Sequence, residues 1–198
     1  MPVVLGLDSS LTKMGYCLLD AGPEAKFYNI GKWYTSNLGN IRLSEIAPAL
    51  RSIVDSNDVV LVGVEEYAYN AWGQVYNIGE AGGIVKLWFY KKQIPMVRVQ
   101  SRALKKFATA NGSATKTEII QSLNSRYNIG LKDGTHPIPG NKRGKLEECE
   151  DDKGDAVTLA LIVRMWYRVW MGLDSFDSYS AHEREVYDRL LLAKEWFL

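Results

Sequence analysis

The chain has 198 residues, enough for one domain with a substantial core. Its 46% hydrophobic and 24% charged residues are those of a globular protein and exclude a disordered or collagen-like chain. A formal net charge of +1 excludes a uniformly basic nucleic-acid binder, and every apolar run is broken well short of the roughly 18 residues of a membrane span.

The N-terminus carries no secretory pattern, so a cytoplasmic protein with no membrane partner is expected. Two cysteines, Cys17 and Cys149, and two histidines, His136 and His182, support neither a disulfide framework nor a zinc site. The small net charge hides an asymmetry. Between Lys86 and Asn128 stand nine basic residues and one acid, Glu118, whereas from Glu147 onward there are twelve acids and six bases. A basic middle beside an acidic cluster suits a polyanion-binding surface next to a cation site.

In chain order, the run Val3 to Leu7 reads as a buried strand that ends on Asp8, and residues 14–20 (MGYCLLD) as its hairpin partner, with 12–15 as the turn. Residues 26–34 (KFYNIGKWY) form a third strand. Leu43, Ile46, Leu50, Ile53 and Val54 recur at helical spacing and predict a helix over 42–55. Residues 58–66 (DVVLVGVEE) are a further buried strand ending at Glu65 and Glu66. Residues 76–92 read as a helix whose Gly79, Ala81, Gly82 and Gly83 are expected to pack close to the sheet. A short strand, PMVRVQ, follows, opening on Pro95. Ser101 is expected to cap the next helix, and Thr115 with Glu118 forms a capping box for the one after it. Residues 128–149, with four glycines and two prolines, read as a long loop of the kind that is usually functional. A long helix runs from Asp151 to Trp170, and Ser180 with Glu183 caps a last one, so the chain is expected to be one domain with a C-terminal helical extension over about 174–198. Three antiparallel strands followed by alternating helices and strands give an α/β fold: a mixed five-stranded sheet flanked by helices, the ribonuclease H-like arrangement.

Asp8 and Glu65 each end a strand, and the two strands are expected to be neighbours. Asp152 and Asp155, three apart at a helix start, share one helix face. Two like charges 4 Å apart repel by roughly 4 kcal/mol at an effective dielectric of 20, so a gathered quartet calls for divalent cations. Oxygen ligands suit Mg²⁺, and a pair of such ions can clamp the attacking and leaving oxygens of phosphodiester hydrolysis. Taken singly, each carboxylate has a structural reading: Asp8 could cap a turn, and the helix-start acids could complement the helix dipole.

At these residues the chain resembles the RuvC-like Holliday-junction resolvases. The stretches GLDSSLTKMGYCLLD, VGVEEYAYN, GEAGGIVKLWFY, VQSRALKKFATANGSATKTEI and DDKGDAVTLALI occur in the family's order, over about residues 3–162. The resemblance implies a homodimer that resolves four-way DNA junctions by paired symmetric nicks leaving 5'-phosphates, with Mg²⁺ as cofactor and Mn²⁺ as a substitute. It places the catalytic and metal-holding carboxylates at Asp8, Glu65, Asp152 and Asp155, with Glu66 as competitor for the glutamate role. Val62 and Val64 alternate with Glu65, which favours Glu65. The family's two lysines fall on Lys105 and Lys116. Arg102 and Lys106 extend that basic surface, and Tyr67 and Tyr69 are candidates for stacking on junction bases. Ser9 and Ser10 stand where the family often has Pro-Gly, and Lys153-Gly154 separates the helical aspartates where two alanines are usual. These departures fit a divergent, phage-encoded member with looser branch selectivity. A related nuclease acting on flaps, forks or RNA-DNA hybrids is the alternative. A sugar-kinase or actin-type ATPase would need a second domain that 198 residues cannot hold.

Overall fold

The structure is a computed structural model that describes residues 1–10, 12–66, 75–135 and 148–192. Its strands are β1 (Val3–Ser9), β2 (Lys13–Asp20), β3 (Phe27–Tyr34), β4 (Val59–Glu65) and β5 (Met96–Val99). Its helices are α1 (Gly39–Val54), α2 (Val75–Lys91), α3 (Ser101–Thr109), α4 (Lys116–Tyr127), α5 (Asp151–Trp170) and α6 (Ala181–Leu192). The sheet order is β3-β2-β1-β4-β5: β1, β2 and β3 are antiparallel neighbours, while β4 and β5 continue in parallel from β1. The mixed five-stranded sheet expected from the sequence is therefore present.

Alternation along β1 separates two cores. Val3, Leu5 and Leu7 pack with Ile46, Leu50 and Ile53 of α1 and Val85, Trp88 and Phe89 of α2. Val4 faces the opposite layer, with Leu104 and Phe107 of α3, Ile119 and Ile120 of α4, the apolar face of α5, and Val186 and Leu190 of α6. A strand covered on both sides has to be apolar on both, which is why β1 reads as a continuous hydrophobic run.

Helix α5 lies across the sheet on glycines. A Cβ on Gly6 would meet the Ala156 carbonyl oxygen at 1.9 Å, and one on Gly15 would meet that of Asp152 at 2.1 Å. Gly15, expected in a turn, is instead inside β2 and pairs with Asp8. What β2 requires there is the absent side chain, which admits the first turn of α5. Gly79 and Gly83 depart from expectation too: both have open space around them and do not pack on the sheet, although Ala81 is buried. Trp88, Phe89 and Trp166 are buried, whereas Trp170 is 65% exposed and stacks on Trp166.

The expected Thr115–Glu118 capping box forms, and at the start of α6 the Glu183 carboxylate reaches back to Ser180. The Thr115 hydroxyl accepts from the Glu118 N–H, while the Glu118 carboxylate accepts from the Thr115 N–H at 2.7 Å. The Glu183 carboxylate accepts from the Ser180 N–H and hydroxyl at 3.0 and 2.7 Å. Ser101 does not cap α3; Gln100 occupies that position and Ser101 is the first helical residue. Residues 128–135 and 148–150 are irregular, and the first of these stretches is pinned to α4 by the Asn124 amide, which exchanges hydrogen bonds with the Leu131 backbone at 2.7 and 2.9 Å.

Candidate active site

Cross-strand register builds one row of residues at the end of the sheet where β1 and β4 finish. Lys32 on β3 pairs with Gly15 on β2, and Gly15 with Asp8 on β1. Leu7 pairs with Val64, so Asp8 and Glu65 are the next residues on two adjacent parallel strands, and Glu65 pairs with Val99. Directly paired residues share a face of the sheet. Val4 and Gly6 precede Asp8 on the α5 side, and Leu61 and Gly63 precede Glu65 there. Asp8 and Glu65 thus project toward α5, whose first turn lies over Gly15 and carries Asp152, with Asp155 following on the next turn.

Glu65 and Glu66 separate on this geometry. Glu66 follows the strand, donates its N–H to the Val99 carbonyl at 2.8 Å, and acts electrostatically on Lys86 of α2, the helix on the other face. Glu65 is the glutamate on the α5 side.

The four carboxylates act on one another. Burial pushes the Asp8 carboxyl up to about 8, reinforced by the charges of Asp155, Glu65 and Asp152 and opposed by Lys116. Burial likewise pushes Asp155 up to about 7, with Glu65 adding repulsion, Lys116 opposing it, and Asp151 and Asp152 contributing less. Glu65 is also raised by burial, against the Ser101 hydroxyl that hydrogen-bonds it and the positive charges of Lys116 and Lys105. Among the described residues, no three Asp, Glu, His or Cys side chains form a ready-made metal-binding group. The quartet is coupled through space rather than drawn to ligating distances. Mutual repulsion between partly buried carboxylates opposes closer approach, and a divalent cation is what would reverse it.

The donor set fits a hard divalent cation. It is all oxygen, it is partly dry, and three of its four members have raised affinity for positive charge in the form of a proton. A transition metal that prefers thiolate or imidazole finds no such ligand in the quartet.

The expected DNA-contact residues divide. Lys116 opens α4 beside the quartet, where it hydrogen-bonds Asp151 and keeps its side chain 60% exposed. Burial works against its charge, but Asp151, Asp155 and Asp152 together raise its pKa. Lys105 is close enough to stabilise the Glu65 charge. Arg102 is exposed on α3, whereas Lys106 is engaged by Glu185 of α6. Tyr67 and Tyr69 lie outside the described residues, as does the middle of the long loop, residues 136–147.

Three residues at the site have no role there that local sequence reveals. Gly15 is legible only as a turn former, Ser101 only as a cap, and Lys32 carries no local signal. Cross-strand register is the signal that finds Lys32, and it requires knowing which strands pair.

The fold and the site both have counterparts among known proteins. A family model described as crossover junction endodeoxyribonuclease RuvC matches residues 4–138, a span that includes Asp8, Glu65, Lys105 and Lys116 and stops before α5. The crossover junction endodeoxyribonuclease RuvC of Synechococcus sp. (strain CC9311) is 25% identical over 168 residues, covering 80% of this chain and 95% of that one. Among solved structures, Thermus thermophilus RuvC superposes with a TM-score of 0.63 at 20% identity, over 86% of this chain and 97% of that one. The same protein in complex with a Holliday junction substrate gives 0.63 at 18% identity, over 87% and 98%. The likeness to these structures establishes the ribonuclease H-like fold, and because the family model spans more than half of its 198 residues, the chain belongs to the RuvC family of crossover junction endodeoxyribonucleases.

Proposed function

We propose that this protein is a divalent-metal-dependent endonuclease that resolves four-way DNA junctions by paired symmetric nicks, leaving 5'-phosphates. The observation that carries the reading is the convergence of Asp8 and Glu65, on neighbouring strand ends, with Asp152 and Asp155 on the helix turn above them. These four residues would hold Mg²⁺, with Mn²⁺ as substitute. Bound there, the cation supplies Lewis-acid activation of water and of the phosphoryl oxygen. Lys116 and Lys105 offset the negative charge of a phosphodiester brought beside Glu65, and Arg102 extends the basic surface along α3. Tyr67 and Tyr69, which follow Glu65 in sequence, are assigned to stacking on bases at the branch. Membership of the RuvC family and the Holliday-junction complex of the Thermus protein support branched DNA as the substrate. Cytoplasmic action is consistent with the absence, among the described residues, of any helix long and apolar enough to cross a membrane.

Two nicks on opposite strands require two active sites, so the unit of action is a homodimer. Helix α2 supports this through an exposed side bearing Tyr76, Gly79, Glu80, Gly83, Leu87 and Tyr90. An antiparallel second copy crossing at Gly83 would set Tyr76 against Tyr90, Gly79 against Leu87, and Glu80 against Lys86. Self-complementarity of this kind is what a two-fold interface demands. Two outward glycines, each costing a helix about 1 kcal/mol, give the partner helix close access.

Cleavage of a synthetic four-way junction, a linear duplex, a flap, a fork and an RNA-DNA hybrid, each with and without Mg²⁺, tests the reading. The expected result is Mg²⁺-dependent paired nicking of the junction above all others. Preference for the flap, fork or hybrid would make the protein a different structure-specific nuclease, and metal-independent cleavage would overturn the site.

A further inference from the structure

Lys32 is the second residue from Asp8 along the paired row, and Gly15, which lies between them, has no side chain to separate them. Its ammonium stands 3.7 Å from a carboxylate oxygen of Asp152. That is an ion pair without a hydrogen bond, between side chains only 32% and 18% exposed. The other lysines in ion pairs around the start of α5 meet acids outside the quartet: Lys13 meets Glu148, Lys153 meets Glu150 and Lys116 meets Asp151. Among the described residues, Lys32 is the cation in ion-pair contact with a member of the quartet.

We propose that Lys32 is a positioning residue that stands in for the divalent cation at Asp152. Its charge offsets the repulsion among the four carboxylates while no metal is bound, and it must yield Asp152 when a metal arrives. This rests on the reading of the quartet as a metal site. The looseness of the pair suits a contact that has to be given up, since a buried, bidentate cation such as arginine at this position would hold Asp152 too well to be displaced. Because the ammonium competes with the incoming ion for one carboxylate, Lys32 sets how much divalent metal the protein needs.

The test is a melting-temperature titration of the full chain with MgCl₂, comparing wild type, Lys32→Met and Lys32→Arg. Removing the competitor should lower the midpoint of the Mg²⁺-dependent stabilisation by about 5-fold, the scale of one partly exposed ion pair. The metal-free melting temperature of Lys32→Met should fall at the same time, and Lys32→Arg should restore the wild-type midpoint or raise it. A purely structural lysine would instead lower the melting temperature equally at every Mg²⁺ concentration. An unchanged or higher midpoint in Lys32→Met overturns the proposal. Lys32→Gln serves the same comparison if the methionine variant melts too low to titrate. Absence of any Mg²⁺ response in the wild type would instead overturn the metal reading itself, and the proposal with it.

Discussion

Acidic groups near the two ends of α5 meet opposite circumstances. Just past its C-terminus, Asp174 accepts hydrogen bonds from two nitrogens of Arg168, each at 2.7 Å, and from the Tyr179 hydroxyl at 2.5 Å. These bonds, Arg168 foremost, hold the Asp174 carboxyl down at about 2. Arg168 spends its remaining nitrogen on the Ala21 carbonyl, and Arg164 donates to the carbonyls of Asp20, Gly22 and Pro23. At the N-terminus, Asp155 and Asp8 are half-buried against other carboxylates and held up near 7 and 8. One cluster is satisfied by the chain itself. The other awaits positive charge from outside, and that difference separates a group that fastens the fold from a group that works.

The same chemical change should therefore act in opposite directions at the two ends. Asp8→Asn or Glu65→Gln should reduce junction nicking by about 10³-fold or more, the several kcal/mol that a metal clamp supplies, while junction binding persists or tightens. Nicking by either variant at the wild-type rate, read on denaturing gels, would remove that residue from the site. Asp174→Ala should leave the metal response intact but cost about 3 kcal/mol of stability in urea unfolding, because Arg168, only 6% exposed, loses its partner. Asp8→Asn should instead stabilise the metal-free protein by roughly 1 kcal/mol at pH 8, since it removes charge repulsion without creating a cavity. A loss of stability there would erase the contrast.

Acid provides a further comparison. Asp174 titrates near 2 in the folded chain and near 3.8 when unfolded. Between those values the unfolded state takes up a proton that the folded state does not. Its contribution is thus complete above about pH 4 and disappears as the pH falls toward 2. The expected loss is roughly 2 kcal/mol, and Asp174→Asn should flatten it. An unaltered acid limb in that variant would mean that other carboxylates govern acid unfolding.

How much of the molecule is legible in its sequence follows from the range over which each signal acts. Asp8 is readable because a carboxylate at the end of an apolar run is conspicuous, and Glu65 because Val62 and Val64 fix its parity. The Thr115–Glu118 box and the paired aspartates of α5 are encoded within one helical turn. Gly15 misleads because glycine serves turns and close contacts equally, and only the path of α5 distinguishes them. Ser101 misleads as a cap for a similar reason: its hydroxyl is directed from the start of α3 to Glu65 at the end of β4. Gly79 and Gly83 suggest an inward face because small residues permit close packing, but which partner they admit is decided by the outer surface of the folded chain. The Arg168–Asp174–Tyr179 cluster carries no sequence signal, and the tie from Arg164 and Arg168 to residues 20–23 spans most of the chain.

The most direct measurement is an anomalous difference map from a crystal grown with MnCl₂. The expected map shows Mn²⁺ coordinated by Asp8 and Glu65 together with Asp152 or Asp155, with the Lys32 ammonium displaced from Asp152. Manganese bound only elsewhere, with the quartet still spread and Lys32 still in place, would contradict the metal site and the role given to Lys32 together.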